Sequence, residues 1–124
     1  MSVVVDEILY TKLDNGEAST GDRSTTHANA LYKGYEGVID IRPSVVIDGK
    51  NIWVTEIGQY SFFGCSKAKG LRIPSTIRII NQWAISSFVL DELIVPASVL
   101  YMGTYALDAC QKVKLIVYCG YKTI

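Results

Sequence analysis

Apolar residues in the second half of the chain come in short bursts, and the bursts recur. Written from an apolar residue followed by Gly or Asn, the sequence gives IGQYSFFGC (57–65), INQWAISSF (80–88) and MGTYALDAC (102–110), at offsets of 23 and then 22 residues. In each copy an aromatic stands two places after the Gly or Asn (Tyr60, Trp83, Tyr105). A small residue follows (Ser61, Ala84, Ala106), then a large apolar one (Phe62, Ile85, Leu107). Between the copies a second phrase recurs at an offset of 22: LRIPSTIRI (71–79), LIVPASVLY (93–101) and, without its proline, LIVYCGYKT (115–123). Self-similarity at a fixed period in the low twenties is the mark of a solenoid in which each repeat forms one coil.

The residue order predicts the path of a coil. A short strand turns Leu71 and Ile73 inward, because alternate strand residues share a face. Pro74 ends it, having no amide hydrogen to give a neighbouring coil. A turn follows, and Ile80 or Met102 dips back into the core. Gly58, Asn81 and Gly103 are then expected at a positive φ, where glycine and asparagine are tolerated. One helical or 3₁₀ turn would carry the aromatic and the small–large pair to the opposite wall. No coil can bury its own apolar side, so stacking at about 4.8 Å makes the core continuous.

These phrases resemble the BspA-like leucine-rich repeats, a family known from bacterial surface proteins and from large protein sets in parasitic protists. VTEIGQYSFFGCSKAKGLRIPSTIRII and LIVPASVLYMGTYALDAC are similar to that family's Ile-Gly-x-x-Ala-Phe-x-x-Cys and Ile-Pro-x-Ser-Val frames. VIDGKNIWVTEIG (46–58) is similar to its entry segment, so the resemblance takes in residues 36–120. The chain departs from the pattern at Phe88, which stands in place of Cys, at Asn81 in place of Gly, and at Cys119 where the last proline would fall. The expected fold is an α+β, mostly β solenoid: a leucine-rich-repeat stack of about three coils with an N-terminal β-hairpin cap. The resemblance implies a binding module without catalysis, with adhesion to host cells or to matrix proteins such as fibronectin when displayed on a surface.

Residues 1–36 do not repeat and are assigned to the cap; residues 37–124 hold the repeats, the two making one structural domain. VVVDEILYTKLDNGEAST reads as a strand, a turn at Asp14-Asn15-Gly16 and a return strand, followed by the polar loop STGDRSTTHAN. At the other end, two registers are open for the last strand. One turns Val113, Ile116 and Tyr118 inward and aligns Lys69, Asp91 and Lys114 in a column. The other puts Leu115 and Val117 inside. The first is preferred. In either, Leu115, Ile116, Val117 and Tyr118 form an apolar unpaired edge, which predicts a homo-oligomer made through the C-terminal coil.

Composition narrows the function. At 124 residues, 49% apolar and 19% charged, the chain is a globular domain. Twelve basic and twelve acidic side chains cancel, so no field draws nucleic acid or anionic lipid, and no apolar run is long enough for membrane insertion. MSVVVDEILYTK has neither the basic start nor the apolar stretch of a signal peptide, which predicts a cytoplasmic protein. A cell-surface or secreted location is the alternative, through a removed leader or non-classical export.

Catalytic chemistry finds little purchase. His27 is the only histidine, in a polar loop without ligand-spaced partners. Cys65 and Cys110 share a repeat position and are expected to be buried ladder residues about 10 Å apart, beyond disulfide reach; Cys119 is the one candidate reactive thiol. Asp48-Gly49-Lys50 reads as a turn, and Asp91 and Glu92 point to opposite faces of a strand. No cofactor is implied. The expected site is a surface for a protein partner, built from Lys69, Arg72, Asp91, Ile94 and Lys114, with Trp53 as an exposed anchor; Trp83 belongs to the aromatic column and is expected to pack there.

Overall fold

In a computed structural model, which describes residues 1–22, 29–32, 34–86, 92–107 and 114–117, every regular element is a strand. His27, Phe88, Asp91, Cys110, Val113, Tyr118 and Cys119 lie outside the described residues. Strands β1 (Ser2–Val5), β2 (Ile8–Lys12) and β3 (Ala18–Thr20) form an antiparallel meander. From β3 onward the pairing turns parallel, through β6 (Lys50–Ile57), β8 (Ile79–Ile80) and β10 (Tyr101–Met102). Strand β5 (Ser44–Ile47) makes a hairpin with the first half of β6. Two further parallel pairs join β4 (Val38–Asp40) to β7 (Gly70–Arg72) and β9 (Glu92–Val95) to β11 (Lys114–Val117). Strand β9 lies against β7.

The turn at 14–16 falls where the sequence predicts it, closed by Leu13 N donating to Glu17 O at 2.8 Å. The strand before it is two strands. Asp6 and Glu7 form a tight reversal with φ of 49° and 71°, a pair of left-handed residues that matches the right-handed twist of a two-residue hairpin. The β5–β6 reversal uses the commoner Asp-Gly solution, Asp48 and Gly49 at 55° and 75°.

The repeat is visible in the hydrogen bonds. Asn81 N donates to Ile57 O at 3.0 Å, and Gly103 N donates to Ile80 O at 2.7 Å. Arg78 N reaches Thr55 O, and Leu100 N reaches Arg78 O, both at 2.8 Å. On the other side of the core Phe62 N donates to Ala84 O (2.8 Å) and Ile85 N to Ala106 O (2.9 Å). Each coil thus spends its amides on its neighbours, on the preceding coil along one wall and on the following coil along the other, which corrects the expected helical component. After Gly58, Asn81 and Gly103 the chain makes one turn, closed by Ser61, Ala84 and Ala106 donating back three residues at 3.2, 3.3 and 3.1 Å. A helix would need the amides that the neighbouring coil already takes.

A second correction concerns the backbone at these turns. Positive φ falls on the aromatics, Tyr60 at 61°, Trp83 at 59° and Tyr105 at 58°, and not on Gly58, Asn81 or Gly103. The glycines are needed for closeness. A Cβ on Gly58 would run into the Thr20 carbonyl oxygen, and one on Gly103 would lie 2.5 Å from Gln82 N.

Ile57, Phe62, Ile77, Ile80, Ile85, Leu93 and Val95 fill the core, each at most 1% exposed. Side chains of this size contribute about 1.5–3 kcal/mol each when fully buried. Ser61 departs from the alanine of the later copies because Thr20 is there to meet it: the two hydroxyl oxygens are 2.8 Å apart, and Gly58 N donates to Thr20 Oγ1 at 3.1 Å. A side chain of the N-terminal segment supplies the acceptor that a preceding coil supplies to Asn81 and Gly103.

The last pair fixes the register question. Lys114, Leu115, Ile116 and Val117 align with Glu92, Leu93, Ile94 and Val95. Lys114 therefore stands beside Glu92 and not in a column with Asp91, so the preferred register gives way to the alternative. Its 22-residue offset is that of the β8–β10 pair, where Tyr101 aligns with Ile79.

Candidate functional site

Three surfaces carry chemistry. The first is the outer side of β4, β7 and β9. Parallel pairing sets Asp40 beside Arg72, with Arg72 Nη1 3.7 Å from Asp40 Oδ2 and both side chains largely exposed. Val38 and Ile94, 40% and 41% exposed, lie on the neighbouring strands, and Lys69 is exposed just before β7. Gly70, opposite Val38, adds no side chain, so this face is low-walled. Of the sequence-derived face, Lys69, Arg72 and Ile94 lie on this one surface. Lys114 joins by strand register through β11, and Asp91 lies outside the described residues.

Trp53 is elsewhere. It sits on β6, paired with Ser44, and is 62% exposed at the side of a shallow groove of about 360 Å³. Glu17 and Arg78 also line the groove, joined by an Arg78 Nη2–Glu17 Oε1 pair at 2.5 Å; Thr55 Oγ1 donates to the same Glu17 oxygen at 3.0 Å. The β3–β6 register shifts here, leaving Thr55 without a strand partner and able to turn to Glu17. Partial burial pushes the Glu17 carboxyl up, but the hydrogen bonds from Thr55 and Arg78 and the guanidinium charge outweigh it, so its pKa lies below the ordinary value.

Hydroxyls complete the groove: Ser75, Thr76 and Ser98. Thr76 and Ser98 occupy the same place two residues after the repeat prolines. Ser98 Oγ donates to the Ile77 carbonyl of the preceding coil at 2.6 Å. Thr76 Oγ1 is buried with no hydrogen-bond partner, a condition that costs about 1–3 kcal/mol. Trp53 was legible in the sequence; Glu17 and Arg78 were not, standing 61 residues apart and sharing no motif.

A cavity of about 710 Å³ lies at the N-terminal side over an apolar floor that includes Ile8, Ile39 and Ile41. Two of its charged groups, Asp6 and Arg42, are spent on each other. Asp6 Oδ2 accepts from Arg42 Nε and Nη2 at 3.0 and 2.7 Å, and Arg42 N donates to Tyr10 Oη at 3.0 Å. Burial raises the Tyr10 pKa, opposed by that hydrogen bond and by the Arg42 charge.

The third surface is the β10 side of the long sheet. There Leu100 is 70% and Tyr101 58% exposed, with Met102 and Tyr105 close in sequence and also exposed. Trp83 stacks in the aromatic column, its ring 6.4 Å from Tyr60 and 4.8 Å from Tyr105, with Phe63 edge-on at 6.2 Å. Cys65 is buried, as the repeat position predicts. Asp48–Lys50 is the β5–β6 turn. Among the described residues no three His, Cys, Asp or Glu side chains are grouped to hold a metal ion, and no helix is long and apolar enough to cross a membrane.

Residues 44–123 match the family model described as the BspA type leucine rich repeat region (6 copies). No curated protein matches the chain significantly. Among solved structures, a leucine-rich repeat protein from Bacteroides capillosus superposes with a TM-score of 0.58 at 22% identity, over 92% of this chain and 97% of that one. The pneumococcal vaccine antigen PcpA superposes at 0.57 and 17% identity, over 94% of this chain and 38% of that one. At these identities the likeness is one of fold.

Proposed function

Because the chain belongs to the BspA-type leucine-rich repeat family, we propose that it is a non-catalytic protein-interaction module, a short solenoid whose β4–β7–β9 face receives a protein partner. The reading rests on the mixed character of that face. Exposed Val38 and Ile94 flank the opposite charges of Asp40 and Arg72 on neighbouring strands. Apolar contacts around an arginine are the usual make-up of an interface centre. Residues 1–36 serve in this reading to close one end of the stack.

The finer reading is adhesion: displayed on a cell, the face binds a host-cell or matrix protein such as fibronectin. The resemblance and the antigen among the fold neighbours speak for it. The alternative is a cytoplasmic scaffold. The test pairs Arg72→Glu with Ile94→Lys and measures binding to immobilised fibronectin and to intact host cells. Loss of binding with an unchanged melting temperature is expected; undiminished binding removes the face from the function. Surface labelling of intact producing cells separates adhesin from scaffold.

A second reading, self-association through the C-terminal coil and its Leu115–Val117 edge, is favoured by the exposed Leu100 and Tyr101 on the neighbouring β10 side. Light scattering over a dilution series tests it. A mass above one chain that falls to monomer in Ile116→Lys, at the position paired with the exposed Ile94, supports it, and a monomer at every concentration removes it.

A further inference from the structure

The groove beside Trp53 lies on a different sheet from the proposed protein face, and its chemistry is of another kind. We propose that it is a binding site for a neutral saccharide, one pyranose ring stacking on the Trp53 indole while its hydroxyls meet Glu17, Arg78 and Thr76. Several observations converge on that ligand class.

A 62% exposed indole held on a sheet strand is a flat apolar platform. The ring C–H face of a sugar is one of the few ligand surfaces that is apolar on its face and polar all round its edge. The edge requirement is met in the same groove. Glu17 offers carboxylate acceptors and Arg78 offers planar donors, fixed against each other and by Thr55. A side-by-side acceptor and donor is suited to a pair of vicinal hydroxyls, each of which both gives and receives. Thr76, in the lining of the groove, adds a hydroxyl with no partner in the protein.

Charge and size narrow the class. The groove holds one carboxylate and one guanidinium, already paired, so it attracts neither an anionic nor a cationic sugar over a neutral one. Its volume of about 360 Å³ lies at the small-ligand end of pocket sizes. An extended peptide is less well served. The backbone groups at this place are used, Val54 N by Pro43 O and Thr55 O by Arg78 N, both at 2.8 Å, so strand addition has nothing to pair with there.

The experiment is a titration of the intact protein with cellotriose, maltotriose and chitotriose, followed by tryptophan fluorescence and by ligand-observed saturation-transfer NMR. A proline-rich decapeptide is run in parallel. The expected result is saturable binding of at least one trisaccharide, weakened about tenfold or more by Trp53→Ala, the loss of a central aromatic anchor, and partly restored in Trp53→Phe. Trp53 is exposed, so these variants keep the parent melting curve. Glu17→Gln weakens binding while leaving the fluorescence of Trp53 in place. Failure of all three sugars to saturate overturns the proposal, as does binding indifferent to Trp53→Ala, or binding of the peptide alone. The Arg72→Glu/Ile94→Lys variant keeps its sugar binding, which separates this site from the protein face.

Discussion

The glycine column and the aromatic column of the repeat lie two residues apart and solve opposite problems. At Gly58 and Gly103 the backbone conformation is ordinary, and what is special is the space: the neighbouring coil's backbone occupies the place of a side chain. At Tyr60, Trp83 and Tyr105 the space is open enough for rings to stack from coil to coil, and what is special is the conformation, left-handed in all three. Residues of this bulk rarely adopt that conformation, and strain of order 1–3 kcal/mol is expected for each. The usual assignment, glycine for the strained φ and a large residue where φ is relaxed, is inverted. A turn can therefore use glycine for closeness and hold its strain elsewhere, under a stacked ring.

Substitutions can break this contrast. Gly58→Ala carries the largest expected effect, about 3 kcal/mol or more, because the added methyl meets the Thr20 carbonyl and not a side chain that can move. A chemical-denaturation midpoint unchanged from the parent would refute the close-approach account. Gly103→Ala should lose less, about 2 kcal/mol, since its added methyl lies 2.5 Å from Gln82 N and is less crowded than the one at Gly58.

The aromatic column makes a sharper test because it predicts an order and not only a size. At an ordinary turn position alanine is tolerated better than glycine. At Trp83 glycine should be better than alanine by about 1 kcal/mol, since both lose the stacking and only glycine relieves the φ. Paired denaturation curves of Trp83→Ala and Trp83→Gly read this directly, and the reverse order would place the strain elsewhere. The loss of stacking itself, with two ring neighbours and Phe63 edge-on, is about 0.5–1.5 kcal/mol for each pair.

The smallest effect lies outside both columns and calibrates them. The Glu17 pKa is lowered in the fold from its ordinary 4.5, so its contribution to stability is present above pH 4.5. It is lost as the pH falls through the lower, folded value. With Arg78 about half exposed, this contribution is expected below about 1 kcal/mol. Glu17→Gln should lower the neutral plateau of the stability–pH curve by that amount, leave stability below the folded pKa nearly unchanged, and so make the acid limb shallower. An acid limb identical to the parent's would mean that the pair contributes nothing.

How much of this was written in the chain can be argued position by position. The period of 22 to 23, the burial of Ile57, Ile80, Phe62, Ile85 and Cys65, and the turn at 14–16 were legible, because each depends on local pattern and turn chemistry. Exposure of Trp53 was legible from its lack of a repeat equivalent. The φ inversion was not. Glycine at a turn has two physical explanations, freedom and smallness, and only the distance to the next coil's backbone tells them apart. Nor was the absence of helical turns in the described coils, because whether Phe62 N bonds within its own coil or to Ala84 O depends on the neighbour's position.

The chain by itself thus determined the repeat, its core and its family, since a periodic apolar pattern can be buried only by stacking. Tertiary structure decided what meets across coils: the register that sets Lys114 beside Glu92, the Thr20 hydroxyl that stands in for a missing preceding coil, and the Glu17–Arg78 pair that shares a groove with Trp53. These are contacts between residues distant in sequence. Their partners are fixed by a few ångströms of backbone placement, which no local pattern encodes.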